Sequence, residues 1–141
     1  MIEEKLEIPG LGAEALLLRG DGDFPGVIFL TDVWGIRPAN IGVARRLAEK
    51  GFSVLMPNAF YRYGRIQSDG FEPDDAEARN QRLGELFAAL TPAQQDSDSA
   101  AYVDFLKGLR GVAKGPVGVA GYCYTGMMAL RIAAARPDDV A

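Results

Sequence analysis

The chain has 141 residues, 48% hydrophobic and 24% charged, a balance that fits one globular domain and excludes a disordered or fibrous chain. Its 19 acidic and 15 basic residues leave a net charge of -4 with the arginines dispersed, which argues against nucleic acid or an anionic membrane as partner. One cysteine excludes an internal disulfide, no apolar run approaches the ~20 residues of a membrane helix, and Met1-Ile2-Glu3-Glu4-Lys5 lacks the order of a secretion signal, so a soluble, cytoplasmic protein is expected.

Leu6-Glu7-Ile8 and Ala13 to Leu18 read as two short edge strands around the turn Pro9-Gly10-Leu11-Gly12. After a second turn signal, Gly20-Asp21-Gly22-Asp23, the run Val27 to Thr31 is apolar with β-branched residues, the pattern of a strand buried on both faces of a parallel sheet. Pro38 opens a helix with Ile41, Ala44, Leu47 and Ala48 on one side, Gly51 ends it, and Phe52 to Met56 returns as a strand. Strand, helix and strand within about 30 residues predict a right-handed βαβ unit. Residues 57–73 mix prolines, glycines and aromatics without a period and read as a long surface loop.

Leu83, Leu86, Phe87 and Leu90 recur at helical spacing between Asp74 and Leu90. Thr91, Pro92 and Gln94 then combine cap, first-turn proline and capping box for another helix, which runs through Tyr102, Phe105, Leu106 and Leu109 and closes at Gly111. Pro116 to Ala120 is a third buried strand, and a last helix spans about Thr125 to Ala135, ahead of Pro137. No repeat or linker divides the chain.

The chemistry sits between that strand and that helix, in Gly121-Tyr122-Cys123-Tyr124-Thr125-Gly126. A nucleophile elbow is a strand-to-helix turn so tight that its central residue is strained, and it needs small neighbours, here Gly121, Thr125 and Gly126. The turn also sets the sulfur at a helix N-terminus, where unpaired N–H groups and the helix dipole favour thiolate over thiol. A lone cysteine is more often an inert core residue, but the order strand, elbow, helix favours a nucleophile.

These residues resemble the dienelactone hydrolase family, α/β-hydrolases with a cysteine nucleophile, whose elbow typically reads Gly-Tyr-Cys-x-Gly-Gly; only Thr125 departs from it. The resemblance extends to Thr31-Asp32-Val33-Trp34-Gly35, to Arg46-Leu47-Ala48-Glu49-Lys50-Gly51-Phe52 and to Pro57-Asn58-Ala59-Phe60-Tyr61-Arg62, with Asn58 where the family more often has Asp. It runs from about residue 5 to the end. The fold it implies is α/β, a mostly parallel sheet with flanking helices, forming one domain over residues 1–141: a partial α/β-hydrolase fold through the elbow and its helix.

By the same resemblance, Cys123 attacks a lactone or small carboxylic ester to form an acyl-enzyme, and the backbone N–H groups of Val33 and Tyr124 form the oxyanion hole. Asp32 takes the place of the acid that contacts the resting cysteine and helps deprotonate it, although Asp at a strand end is also a turn former. Arg62 or Arg82 would hold an anionic substrate, and Trp34 and Tyr61, with Tyr63 and Tyr124, would line an apolar pocket. No metal and no organic cofactor is implied, and the oligomeric state is left open.

With no histidine, a Cys-His-Asp triad cannot be completed within these residues. In the resembled family the acid and the histidine follow the elbow, and Val140-Ala141 reads as the opening of another strand, so both partners are expected beyond residue 141. Two other readings stay open: a non-catalytic α/β binding domain that keeps the elbow, and an amidotransferase-like cysteine elbow, which fits the Asp32 to Gly35 segment less well.

Overall fold

The computed structural model describes residues 1–67 and 69–141. Strands β1 (Ile2–Ile8) and β2 (Ala13–Arg19) form an antiparallel hairpin that pairs Ile2 with Arg19 and Ile8 with Ala13. Its turn needs left-handed backbone at Gly10 (φ 83) and Gly12 (φ 67), which glycine adopts at little steric cost. Strand β3 (Gly26–Leu30), helix α1 (Pro38–Glu49) and strand β4 (Ser53–Pro57) follow as the expected βαβ unit, and β5 (Gly118–Gly121) completes a sheet of order β1-β2-β4-β3-β5.

The sheet is mixed. Strands β4, β3 and β5 run parallel, the half that carries the elbow, whereas β2 pairs antiparallel to β4 and brings the hairpin with it. Side chains alternate across the sheet: Ile28, Leu30 and Leu55 enter one core with Phe60, Leu86, Leu90, Tyr102, Leu106, Met128 and Ile132. Phe29, Val54 and Met56 enter the other, with Ala44 and Ala48 of α1. Each such apolar side chain, fully withdrawn from water, contributes about 1.5–3 kcal/mol before the entropy of ordering is set against it.

Helix α2 (Ala76–Ala88) starts where the Asp75 carboxylate accepts the Ala78 N–H at 2.8 Å. Helix α3 (Pro92–Gly108) starts on the predicted capping box: the Gln94 N–H donates to Thr91 Oγ1 at 3.4 Å, and the Thr91 N–H to Gln94 Oε1 at 2.8 Å. It ends short of Gly111, whose φ of 85 and closeness to Arg19, 2.7 Å from a would-be Cβ, require glycine for the crossing toward β5. Helix α4 (Gly126–Ala135) follows the elbow, and beyond it Val140 bridges Val117 in parallel. Among the described residues no helix is long and apolar enough to cross a membrane.

Candidate active site

Neighbouring parallel strands β3 and β5 end on the same side of the sheet, where ligands of open α/β sheets bind. Strand β3 delivers Thr31 to Gly35, and β5 delivers the elbow. Cys123 opens a single 3-10 turn, Cys123–Thr125, and is the one non-glycine among the described residues with positive φ, at 58. Such a conformation persists only where its surroundings impose it. Its thiol is exposed and free.

The surroundings that impose it are visible in three residues. A Cβ on Gly121 would stand 2.4 Å from the Thr125 carbonyl oxygen and 2.9 Å from the Ala129 Cβ, so the helix closes onto the strand only over glycine. A Cβ on Gly126 would meet nothing nearer than 3.9 Å, so close packing does not explain that glycine. Thr125, the departure from the family pattern, is fully buried; its hydroxyl accepts the Tyr122 N–H at 3.1 Å and lies 2.8 Å from the Thr31 and 3.1 Å from the Leu30 carbonyl oxygens. The threonine therefore ties the elbow to the end of β3.

Flanking aromatics anchor the turn on both faces of the sheet. Tyr122 stacks on Phe29 with centroids 4.8 Å apart, while Tyr124 lies 4.7 Å from Phe87 and 6.4 Å from Phe60 and donates its hydroxyl to the Leu90 carbonyl at 2.9 Å. The backbone N–H groups of Val33 and Tyr124 have no protein acceptor among the described residues.

Asp32 stands at the end of β3, but its recorded partners differ from the expected cysteine contact. Oδ1 accepts the Trp34 N–H at 3.0 Å and Asn40 Nδ2 at 3.3 Å, Oδ2 accepts Arg37 at 2.9 Å, and the Cys123 sulfur is not among them. With the Gly35 N–H donating to the Asp32 carbonyl at 3.1 Å, this is an Asp-led turn around Val33. Adjacent donors and a cation occupy the carboxylate first. Gly35 takes φ 78, and a Cβ there would lie 2.7 Å from the Phe71 ring.

The two candidate arginines part company. Both terminal nitrogens of Arg62 bind Asp98 of α3, at 2.7 and 2.9 Å, and its guanidinium sits 4.5 Å over the Tyr61 ring, while the Tyr61 hydroxyl donates to Asp98 at 3.1 Å. The Asp98 side chain is 1% exposed, and a buried carboxylate needs a countercharge and donors. Arg62, expected to hold an anionic substrate, has its guanidinium engaged by Asp98, and the hydroxyl of Tyr61, expected to line an apolar pocket, meets the same carboxylate, so the two residues clamp the loop to α3. Burial, then the Asp98 charge, push the Tyr61 phenol above its usual range. Arg82 instead donates to the Phe71 carbonyl at 2.8 Å and has no carboxylate partner among the described residues. The Phe71 N–H in turn donates to the Trp34 carbonyl at 2.9 Å, which brings Trp34, Phe71 and Arg82 together beside the Asp32 turn.

Sequence reading missed Arg37, Asn40 and Asp98. Asp98 had a usable signal, since Gln95, Asp98, Ser99 and Tyr102 form a polar stripe at helical spacing and all are buried. Asn58 also has a reason: its amide donates to the Gly64 carbonyl at 2.9 Å and to Glu14 at 3.1 Å, which an ionised Asp could not do. A separate groove lined by Lys5, Glu14, Ile36, Ile41 and Arg65 contains none of the candidate residues.

The dienelactone hydrolase family matches residues 13–141. The chain is 33% identical over 125 residues to a carboxymethylenebutenolidase of Rhodococcus opacus, covering 86% of this chain and 42% of that protein. It is 30% identical over 138 residues to one from a Pseudomonas species, covering 95% and 56%. The dienelactone hydrolase structure from Anabaena variabilis superposes with TM-score 0.69 over 99% of this chain and 59% of that one, at 19% identity, a likeness of fold alone. The chain spans about half the length of the curated relatives it matches. Because the family model matches residues 13–141, from the second strand through the strained cysteine turn to the last residue, the chain belongs to the dienelactone hydrolase family.

Proposed function

We propose that this chain is the nucleophile-bearing part of a hydrolase for lactones or small carboxylic esters, with Cys123 as the attacking group. The observation that carries the reading is the left-handed backbone of an exposed cysteine between a parallel strand and a helix. The Cys123 thiolate adds to the ester carbonyl, and the resulting oxyanion is received by the N–H groups of Val33 and Tyr124, both without a protein acceptor. Loss of one such donor costs about 2.7–4 kcal/mol in a comparable hydrolase. Collapse of the adduct expels the alcohol and leaves an acyl-enzyme, which water hydrolyses with the help of a general base.

Asp32 serves this step by holding the turn that aims the Val33 N–H, and it is the acid nearest in sequence to that donor. Arg82, without a carboxylate partner among the described residues, binds a substrate carboxylate beside Trp34. Arg62 and Tyr61 act through Asp98 by fixing the loop that borders the elbow. A histidine and an acid beyond residue 141 supply the base.

The test uses p-nitrophenyl acetate. The 141-residue chain is expected to release at most one equivalent of nitrophenol without a steady state, because loss of acid–base assistance alone costs about 10²–10⁴-fold. The longer protein is expected to turn over, and Cys123→Ala to abolish both. Steady turnover that survives Cys123→Ala would overturn the reading and leave the non-catalytic alternative.

A further inference from the structure

A groove of about 510 Å³ lies between the β1–β2 hairpin, the start of α1 and residues 65–67, a volume within the range of small-molecule sites. Four aliphatic residues line it: Leu16 of β2, Ile36, Ile41 of α1 and Ile66. All four belong to the apolar cluster on the α1 face of the sheet, so the groove is an open end of that core. Ile66 is fixed in place, because its N–H donates to Glu14 Oε1 at 3.2 Å. The apolar wall is therefore preformed.

The charged groups around it differ in what they leave open. The Glu14 side chain, 19% exposed, already accepts from Asn58 at 3.1 Å, from the Ile66 N–H and from Arg65 at 3.4 Å. Arg65 gives that carboxylate one terminal nitrogen at long range, and with its side chain 76% exposed most of its donors remain open. Lys5 lies directly across from Leu16 on the neighbouring strand, hence on the same face, and has no carboxylate partner among the described residues. Gln67 adds an amide. Against these stands Glu7, exposed and directly across from Glu14. Open donors outnumber open acceptors, so the rim suits an anion better than a cation.

We propose that this groove is a second binding site, separate from Cys123, for a small amphipathic carboxylate: an apolar chain lies along Leu16, Ile36, Ile41 and Ile66, and its single anion meets Lys5 and Arg65. Apolar burial supplies most of the affinity, and the two partly solvated cations set the orientation. None of the residues assigned to ester hydrolysis lines the groove. The proposal therefore stands whether or not Cys123 is a nucleophile.

The experiment titrates the full-length protein with 8-anilinonaphthalene-1-sulfonate, an aromatic body carrying one anion, and follows its fluorescence at pH 7. Saturable binding is expected, displaced by decanoate and displaced about tenfold less well by decylamine, which has the same chain with a cationic head. Lys5→Gln combined with Arg65→Gln, both at exposed positions, should weaken decanoate about five- to tenfold, the effect of losing two partly solvated ion pairs. Ile66→Trp, which fills the groove from the loop side, should abolish displaceable binding. Glu7→Gln should bind decanoate as tightly as the wild type or more tightly. Arg82→Gln and protein alkylated at Cys123 should both bind within twofold of the wild type. No saturable binding, equal displacement by decylamine, or affinity within twofold of wild type in both the double variant and Ile66→Trp would overturn the proposal. Loss of binding in Arg82→Gln or on alkylation of Cys123 would overturn it too, by assigning the probe to the candidate active site.

Discussion

Thr125 stands where the family pattern has glycine, and its hydroxyl makes the substitution a gain of contacts instead of a clash. The buried oxygen takes the Tyr122 N–H at 3.1 Å and lies within hydrogen-bond reach of three carbonyls, those of Leu30, Thr31 and Tyr122. Thr125→Val keeps the shape and removes the polar atom, leaving the Tyr122 N–H without that acceptor. We expect a loss of about 1–3 kcal/mol in urea unfolding, the usual cost of stranding a buried polar group. An unchanged midpoint would mean that water reaches these groups. Asn58 follows the same logic at the far end of β4, where an amide meets Glu14 and a carboxylate would face a like charge.

At the scale of the element, the elbow is a strand, a turn and a helix packed so closely that its two glycines have different reasons. Gly121→Ala would drive a methyl to 2.4 Å from the Thr125 carbonyl oxygen, so we expect a destabilisation of about 1–3 kcal/mol or more from forced displacement. Gly126→Ala should be neutral or stabilising by about 0.4–1 kcal/mol, because its φ of -58 is helical, a Cβ meets nothing within 3.9 Å, and alanine narrows the unfolded ensemble. Paired denaturant melts check the contrast. Equal effects at both positions would remove the argument that the close approach of β5 and α4 selects glycine only at Gly121.

Across the whole molecule, α3 and the segment after α4 are joined through Asp139, which accepts from Lys107 and, at 2.7 Å, from Arg136. Lys107 first, then Arg136, hold its carboxyl below the usual carboxylate range. For a carboxylate depressed in the folded state, the stabilisation is present above the unfolded value and is lost as pH falls through the folded one. Lys107→Met should therefore raise the Asp139 midpoint toward that of a free side chain and make stability less dependent on pH on the acid side. Carboxyl NMR titration of both proteins measures it, and identical midpoints would assign the depression to Arg136 alone. The other side of α3 holds the Arg62–Asp98 clamp, so this helix is tied by charge to the loop before α2 and to the segment after α4.

The sequence alone was enough for the order of the elements and for the place of the strained cysteine turn, because these depend on neighbours a few residues apart, although β5, expected to be buried, is half-exposed. A β-branched run makes a buried strand, Thr91 and Gln94 cap a helix within one turn, and a small-residue turn between strand and helix marks Cys123. What lies next to what across the sheet was decided only by tertiary structure. The antiparallel entry of β2 beside β4, the hold of Arg37 and Asn40 on Asp32, and the capture of Arg62 by Asp98 all join residues whose types are ordinary and whose separation follows no period. A carboxylate or a guanidinium in a sequence carries its charge but not its partner. The partner is chosen by burial, since each charge withdrawn from water must be met by whichever opposite charge or donor the packing brings within about 3 Å.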